Sequence, residues 1–262
     1  MVLPEEIRAR EGRAWLAGWQ GTRAVLRRLP VPAGLAAETA DDASWLHGFM
    51  TRLAEGGFPS DIGALLGRYH AAVRQIRVAS QRPAALPLAQ VPPVLLSHPL
   101  DAIPAERAAV IRQLAAQLAS DLAGTGHLAR ERMVIHGDFT NENVIASGTP
   151  PAASGVIDFA LAHVETPLAD IGYGLWRSGR PHELADHLDL SRIRQFLGGY
   201  ASVAPISPDE ASVTPLYLRG RGLQMIAKRV RTGSDDTGTL AQVQWLTANT
   251  AQVRAALVAA LR

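Results

Sequence analysis

Three oxygen-bearing side chains stand at telling intervals in the stretch VIHGDFTNENVIASGTPPAASGVIDFALAHVETPLADIGYGLW, which runs from Val134 to Trp176. Asp138 and Asn143 are separated by four residues. Asn143 opens the apolar triplet Val144-Ile145-Ala146, and Asp158 follows a second one, Gly155-Val156-Ile157. If the triplets pair across the turn-rich segment between them, Asn143 and Asp158 meet at the open end of a hairpin. Asp138, on the loop just before, faces the same space. A neutral and an anionic oxygen side by side suit Mg²⁺, a hard cation that takes one or two protein oxygens and leaves the rest to water and phosphate. A further carboxylate can orient a hydroxyl and accept its proton. Those are the requirements of phosphoryl transfer, which needs positioning and charge neutralisation more than covalent help. Singly, each residue reads better as a turn, cap or strand-end residue; only the combination points to chemistry.

The elements that must position these residues are partly legible. Two short apolar runs flanking Trp19-Gln20-Gly21-Thr22 predict a β-hairpin over 13–29. Trp45, Leu46, Phe49, Met50 and Leu53 recur at helical spacing between Asp42 and Glu55. Ser60 reads as the N-cap of a second helix whose face carries Ile62, Leu65, Leu66, Tyr69 and Val73. Six prolines between 80 and 104 predict an extended connector. A helix over 105–123 buries Ile111, Leu114, Leu118 and Leu122, and Gly124-Thr125-Gly126 ends it. Met133-Val134-Ile135 is a strand leading into the motif, and helices follow over 189–199, 207–230 and 237–261. The fold class is α+β: a small β-containing N-terminal lobe, 1–59, on a larger, mainly helical C-terminal lobe, 60–262, which holds the catalytic loop and the metal-binding hairpin.

Composition removes several alternatives. At 262 residues, 47% hydrophobic and 19% charged, the chain is globular rather than disordered. A net charge of +2 with no Lys/Arg cluster argues against a nucleic-acid partner. The absence of cysteine removes disulfides, thiolate metal sites and cysteine nucleophiles. No signal peptide and no run of about 18 apolar residues is present, so no membrane association is expected and a cytoplasmic location is the default. Asp235 and Asp236 read as a solvated loop rather than a site for an amine-rich ligand. His163 and Glu165 read equally as substrate-facing or as surface-loop residues. Arg219, Arg221, Lys228, Arg229 and Arg231 read as a solvated basic helical face.

The motif H-x-D-x-x-x-x-N followed by I-D-F, here His136 to Asn143 and Ile157 to Phe159, resembles the signature of the aminoglycoside phosphotransferase and choline kinase families, relatives of the protein kinases. The resemblance implies a two-lobed kinase-like fold, with Asp138 as catalytic base and Asn143 and Asp158 as Mg²⁺ ligands. It implies His136 as a brace of the loop and Asp170, in PLADIGY, as a structural residue. Arg27, in AVLRRL, matches the cation that grips the nucleotide phosphates, with ATP or GTP as donor. The carboxylate that pairs this cation in relatives has only His47 or Glu38 as counterpart here. Relatives carry further strands and an adenine-gripping hinge where Ser60 leads straight into a helix, so the N-lobe is abbreviated. Arg10-Glu11-Gly12-Arg13 is a poor match to a phosphate loop.

Two functions are compatible with these observations. One is a small-molecule kinase that phosphorylates a hydroxyl of a polar or cationic substrate, an aminoglycoside-like antibiotic or a metabolite. The other is a catalytically weak kinase-fold binding or regulatory protein that lacks a complete nucleotide pocket. The sequence leaves the acceptor and the oligomeric state open.

Overall fold

The computed structural model describes residues 15–20, 23–28, 58–76, 87–97, 100, 103–125, 131–147, 152–181, 185–232 and 237–262. The helix expected over 42–55, the segment 10–13, Glu38, His47, Asp235 and Asp236 lie outside them.

The expected N-terminal hairpin forms, with β1 (Trp15–Gln20) antiparallel to β2 (Arg23–Arg28). The hairpin at the motif forms as well: β4 (Val144–Ser147) pairs with β5 (Ala152–Val156), Val144 opposite Val156 and Ile145 opposite Gly155, with a bulge after Ile145. The two hairpins share one sheet of order β2-β1-β4-β5, in which Leu16 of β1 lies opposite Ile145. The N-terminal strands are therefore hydrogen-bonded directly onto the hairpin that carries the metal motif.

A second sheet pairs β3 (Met133–Ile135) with β6 (His163–Glu165). β6 is too short to show alternation and was not legible in the sequence.

Among the described residues the remaining larger elements are helices. The segment Phe58–Val73 forms α1. Ser60 lies inside its first turn rather than capping it, because Pro59 fits a first turn, where no amide proton is needed. The proline-rich connector is not wholly extended: after a single 3₁₀ turn over Leu88–Gln90, Val91–Ser97 is helical, α2. Pro92 and Pro93 fall in its first turn, where the missing N–H groups have no helical partner to lose. The helix α3 (Ala105–Ala123) buries Ile111, Leu114, Leu118 and Leu122 as expected. Then come α4 (Pro167–Ser178), α5 (Leu190–Ala201) and α6 (Pro208–Thr232). The final predicted helix is two, α7 (Thr237–Ala248) and α8 (Thr250–Ala259), broken at Asn249.

One apolar core runs through these helices, from Ile62 and Leu66 on α1 through Trp176 on α4 and Phe196 on α5 to Val253 and Leu257 on α8. The closest approach joins α1 and α5. A Cβ at Gly63 would overlap the Phe196 carbonyl, and one at Gly199 would overlap the Ser60 carbonyl. The backbones thus meet through reciprocal glycines.

Candidate active site

The loop between β3 and β4 is fixed from below by a buried carboxylate. Thr166 caps α4, its hydroxyl accepting from the Leu168 N–H, and Pro167 follows, which places Asp170 in the first turn. Asp170 is fully buried. Its Oδ2 accepts the His136 N–H at 2.6 Å and its Oδ1 the Gly137 N–H at 2.8 Å. His70 of α1 lies 3.1 Å from the same Oδ2 through Nε2, and its Nδ1 lies 3.0 Å from the Tyr200 hydroxyl of α5. Burial pushes the Tyr200 phenol well above its usual range. Because the Asp170 carboxylate can only accept, Nε2–H donates to it, and Nδ1 of the neutral ring accepts from the Tyr200 hydroxyl. A chain of hydrogen bonds thus runs from α5 through α1 and α4 to the loop.

The backbone within the loop is equally constrained. Gly137 has φ +78, a region that favours glycine, and a Cβ there would overlap the Leu161 carbonyl. His136 is fully buried. Its Nε2 faces the Ile157 carbonyl at 3.0 Å and must donate; its Nδ1 accepts the Asp138 N–H at 3.3 Å. The imidazole therefore joins the start of the loop to the strand end beside Asp158.

Asn143 is tied to the loop at Asp138, and Asp158 follows the residue that faces Asn143 across the hairpin. The Asn143 side-chain amide donates to the Asp138 carbonyl at 2.9 Å, which turns its Oδ1 away from that bond. The Ile157 N–H donates to the Asn143 carbonyl at 3.0 Å, continuing the β4–β5 register to the residue before Asp158. Asp158 is exposed and has φ +67, a left-handed conformation that aspartate tolerates at a cost of about 1 kcal/mol. The pair presents hard oxygen donors, one neutral and one anionic, which fits Mg²⁺ with water and phosphate completing the shell. No cluster of three or more His, Cys, Asp or Glu is present among the described residues, so a shell of protein carboxylates is not available there.

Arg27 lies in β2 opposite Leu16, which itself lies opposite Ile145, two residues from Asn143. Its side chain is outside the described residues.

The basic helical region is a correction. Arg219 is 1% exposed and pairs with Asp121 of α3, and Arg221 is at the site. The Arg221 Nη2 lies 3.3 Å from Asp138 Oδ1, its Nη1 reaches the Tyr173 hydroxyl, and its guanidinium carbon sits 3.3 Å from the Tyr173 ring centre. Burial lowers its pKa to about 10, with Asp138 acting in the opposite direction. Arg221 is thus charged at neutral pH. Of the group, Lys228 alone is exposed among the described side chains. His163 and Glu165 lie on β6 and line a cavity of about 30 Å³ with Gly137 and Arg221. Asp138 and Asn143 open instead on a cavity of about 250 Å³ between the loop, α4 and α6.

Sequence reasoning missed His70 and Arg221. His70 left a signal: it continues the buried spacing Ile62, Leu66, Tyr69 as a polar residue on an apolar stripe.

A buried aspartate on the following helix thus fixes the strand-loop-hairpin arrangement. The sequence model of the Phosphotransferase enzyme family matches residues 5–206, and the chain belongs to that family. A homoserine kinase from Rhodopseudomonas palustris (strain BisB18) is 30% identical over 99 residues, 37% of this chain and 28% of that protein. The chain thus aligns with under a third of the length of this curated relative. A choline/ethanolamine kinase family protein from Mesorhizobium loti shares the fold with a TM-score of 0.54 at 16% identity, over 97% of this chain and 83% of that one. A microcompartment-associated aminopropanol kinase does so with a TM-score of 0.51 at 14% identity, over 94% and 73%. The kinase-like α+β fold expected from the motif is the fold of the chain.

Proposed function

We propose that this protein transfers the γ-phosphoryl group of a nucleoside triphosphate to a hydroxyl of a small molecule. The observation that supports the reading is the β4–β5 hairpin, whose register runs on through the bond from the Ile157 N–H to the Asn143 carbonyl, one residue before Asp158, with the Asn143 amide bonded to the Asp138 carbonyl. In the reaction the acceptor oxygen bonds to the γ-phosphorus. The bond from that phosphorus to the β,γ-bridging oxygen breaks, and the nucleoside diphosphate leaves with the electron pair. The acceptor proton passes to an Asp138 carboxylate oxygen.

Each residue has a separate task. Asp138 aligns the hydroxyl and holds its proton. Asn143 and Asp158 would hold Mg²⁺, which would neutralise phosphate charge. His136 and Asp170 position the loop. Arg27 meets the phosphates from β2. The donor is ATP or GTP, and the family membership supports a nucleotide-dependent kinase with a small-molecule acceptor.

The test is turnover. Asp138→Asn keeps the shape and removes the base, so kcat falls by about 10²- to 10⁴-fold while the Kd for the Mg²⁺-nucleotide complex holds. An Asp138→Asn enzyme with wild-type kcat rules out the assigned role.

A further inference from the structure

The cavity beside Asp138 has an unusual balance of charge for a site meant to receive a cationic acceptor. Among the described residues its lining includes two guanidinium groups, Arg177 and Arg221, and a single carboxylate, that of Asp138. Arg221 is four-fifths buried, stacked on Tyr173 and 3.3 Å from Asp138, so its charge is directed at the place where an acceptor hydroxyl must lie. Trp176 also lines the cavity. It is 1% exposed, and its Nε1–H has no hydrogen-bond partner among the described residues. A buried donor left unpaired costs about 1–3 kcal/mol, and an acceptor oxygen on a ligand removes that cost. Thr140, whose hydroxyl can also donate, lies on the same wall.

We infer that the acceptor is a small hydroxy acid whose carboxylate is held by Arg221 while its hydroxyl meets Asp138. The inference rests on the phosphotransfer reading and names the substrate class of that same site. Guanidinium is planar with five donors, so Arg221 can bridge the substrate carboxylate and Asp138 together. Without a cation between them, two carboxylates in one cavity of about 250 Å³ repel each other. An ammonium-bearing acceptor with no carboxylate meets the opposite problem, because it must approach two arginines. The substrate carboxylate is unchanged by the reaction. The hydroxyl oxygen gains the phosphoryl group, its proton goes to Asp138, and the nucleoside diphosphate leaves.

The experiment titrates three matched sets of acceptors into the full chain held with Mg²⁺ and a non-hydrolysable ATP or GTP analogue, then measures transfer from the nucleotide itself. The sets are hydroxy acids (glycerate, 4-hydroxybutanoate, serine), their carboxamides, and amino alcohols (ethanolamine, 1-amino-2-propanol). Expected is binding of at least one acid about tenfold or more tighter than its carboxamide, phosphorylation of that acid, and loss of the preference in Arg221→Gln. The Arg221→Gln protein must keep its wild-type circular dichroism and Mg²⁺-nucleotide Kd. Where it does not fold, the comparison of acid with carboxamide in the wild type decides alone. Nucleotide binding with no acid bound, or with carboxamides or amino alcohols bound as tightly as acids, overturns the acid assignment and leaves phosphotransfer standing. Failure to bind either nucleotide overturns both.

Discussion

At the scale of single residues, the site depends on one carboxylate that touches no exposed surface. Asp170 accepts two loop N–H groups and faces His70, all three groups being buried. Asp170→Ala strands two backbone donors and an imidazole N–H away from water. Breaking a buried charge network by removing one partner costs about 3–5 kcal/mol, so the urea midpoint of Asp170→Ala falls sharply, whereas Asp186→Ala on the surface leaves it unchanged. The sequence placed Asp170 in PLADIGY but said nothing of what it holds, since its two donors lie 34 and 33 residues earlier. Arg221 was harder to read. It sits among several basic residues on one helix, and nothing in their spacing shows which of them meets a loop 83 residues away. Its neighbours were the overlooked signal: in Arg219-Gly220-Arg221-Gly222, a Cβ at Gly220 would overlap Leu88 and one at Gly222 would overlap Val243, so this stretch of α6 is enclosed.

Elements carry the next level of constraint. Residues two apart on a helix point about 200° apart, so Arg219 reaches Asp121 on α3 while Arg221 reaches Asp138 on the loop between β3 and β4. Helix α6 is thereby tied to the body on one side and to the site on the other. Asp121→Ala leaves the Arg219 guanidinium buried without its carboxylate and lowers stability by about 3 kcal/mol; equilibrium denaturation checks the figure. The α1–α5 contact is as sensitive in a different way. Gly63→Ala and Gly199→Ala each force helix backbones apart, at a cost of about 1–3 kcal/mol from overpacking. Because His70 on α1 and Tyr200 on α5 both belong to the chain of bonds that ends at Asp170, these variants should also lower kcat. Unchanged melting temperatures in both glycine variants contradict the packing described. Strong periodicity made α3 legible at both ends. Prolines misled the reading at Pro59 and Pro92-Pro93, because a first helical turn accepts what a helix interior rejects. Three-residue β6 has no period to detect; its partner in β3, Ile135 opposite His163, exists only in three dimensions.

Across the whole molecule, the sheet β2-β1-β4-β5 joins the start of the chain to the metal-motif hairpin. The strand pairing between residues 16 and 145 leaves no local trace in the sequence. Family membership accounts for the order of the motifs, and the loop with helices α4 and α6 walls the cavity beside Asp138. No helix among the described residues is long and apolar enough to cross a membrane. What separates a working phosphotransferase from a fold that only resembles one is whether the Asn143–Asp158 pair receives a metal-bound nucleotide.

That is tested most directly by calorimetric titration of ATP and of GTP, each with and without Mg²⁺, into the wild type and Asp158→Asn. Asparagine keeps the side-chain shape and tolerates the left-handed backbone at this position while removing the charge. The account predicts Mg²⁺-dependent binding of at least one nucleotide by the wild type, weakened about tenfold or more in Asp158→Asn. Equal binding by the two proteins, binding indifferent to Mg²⁺, or no binding of either nucleotide by the wild type would contradict it.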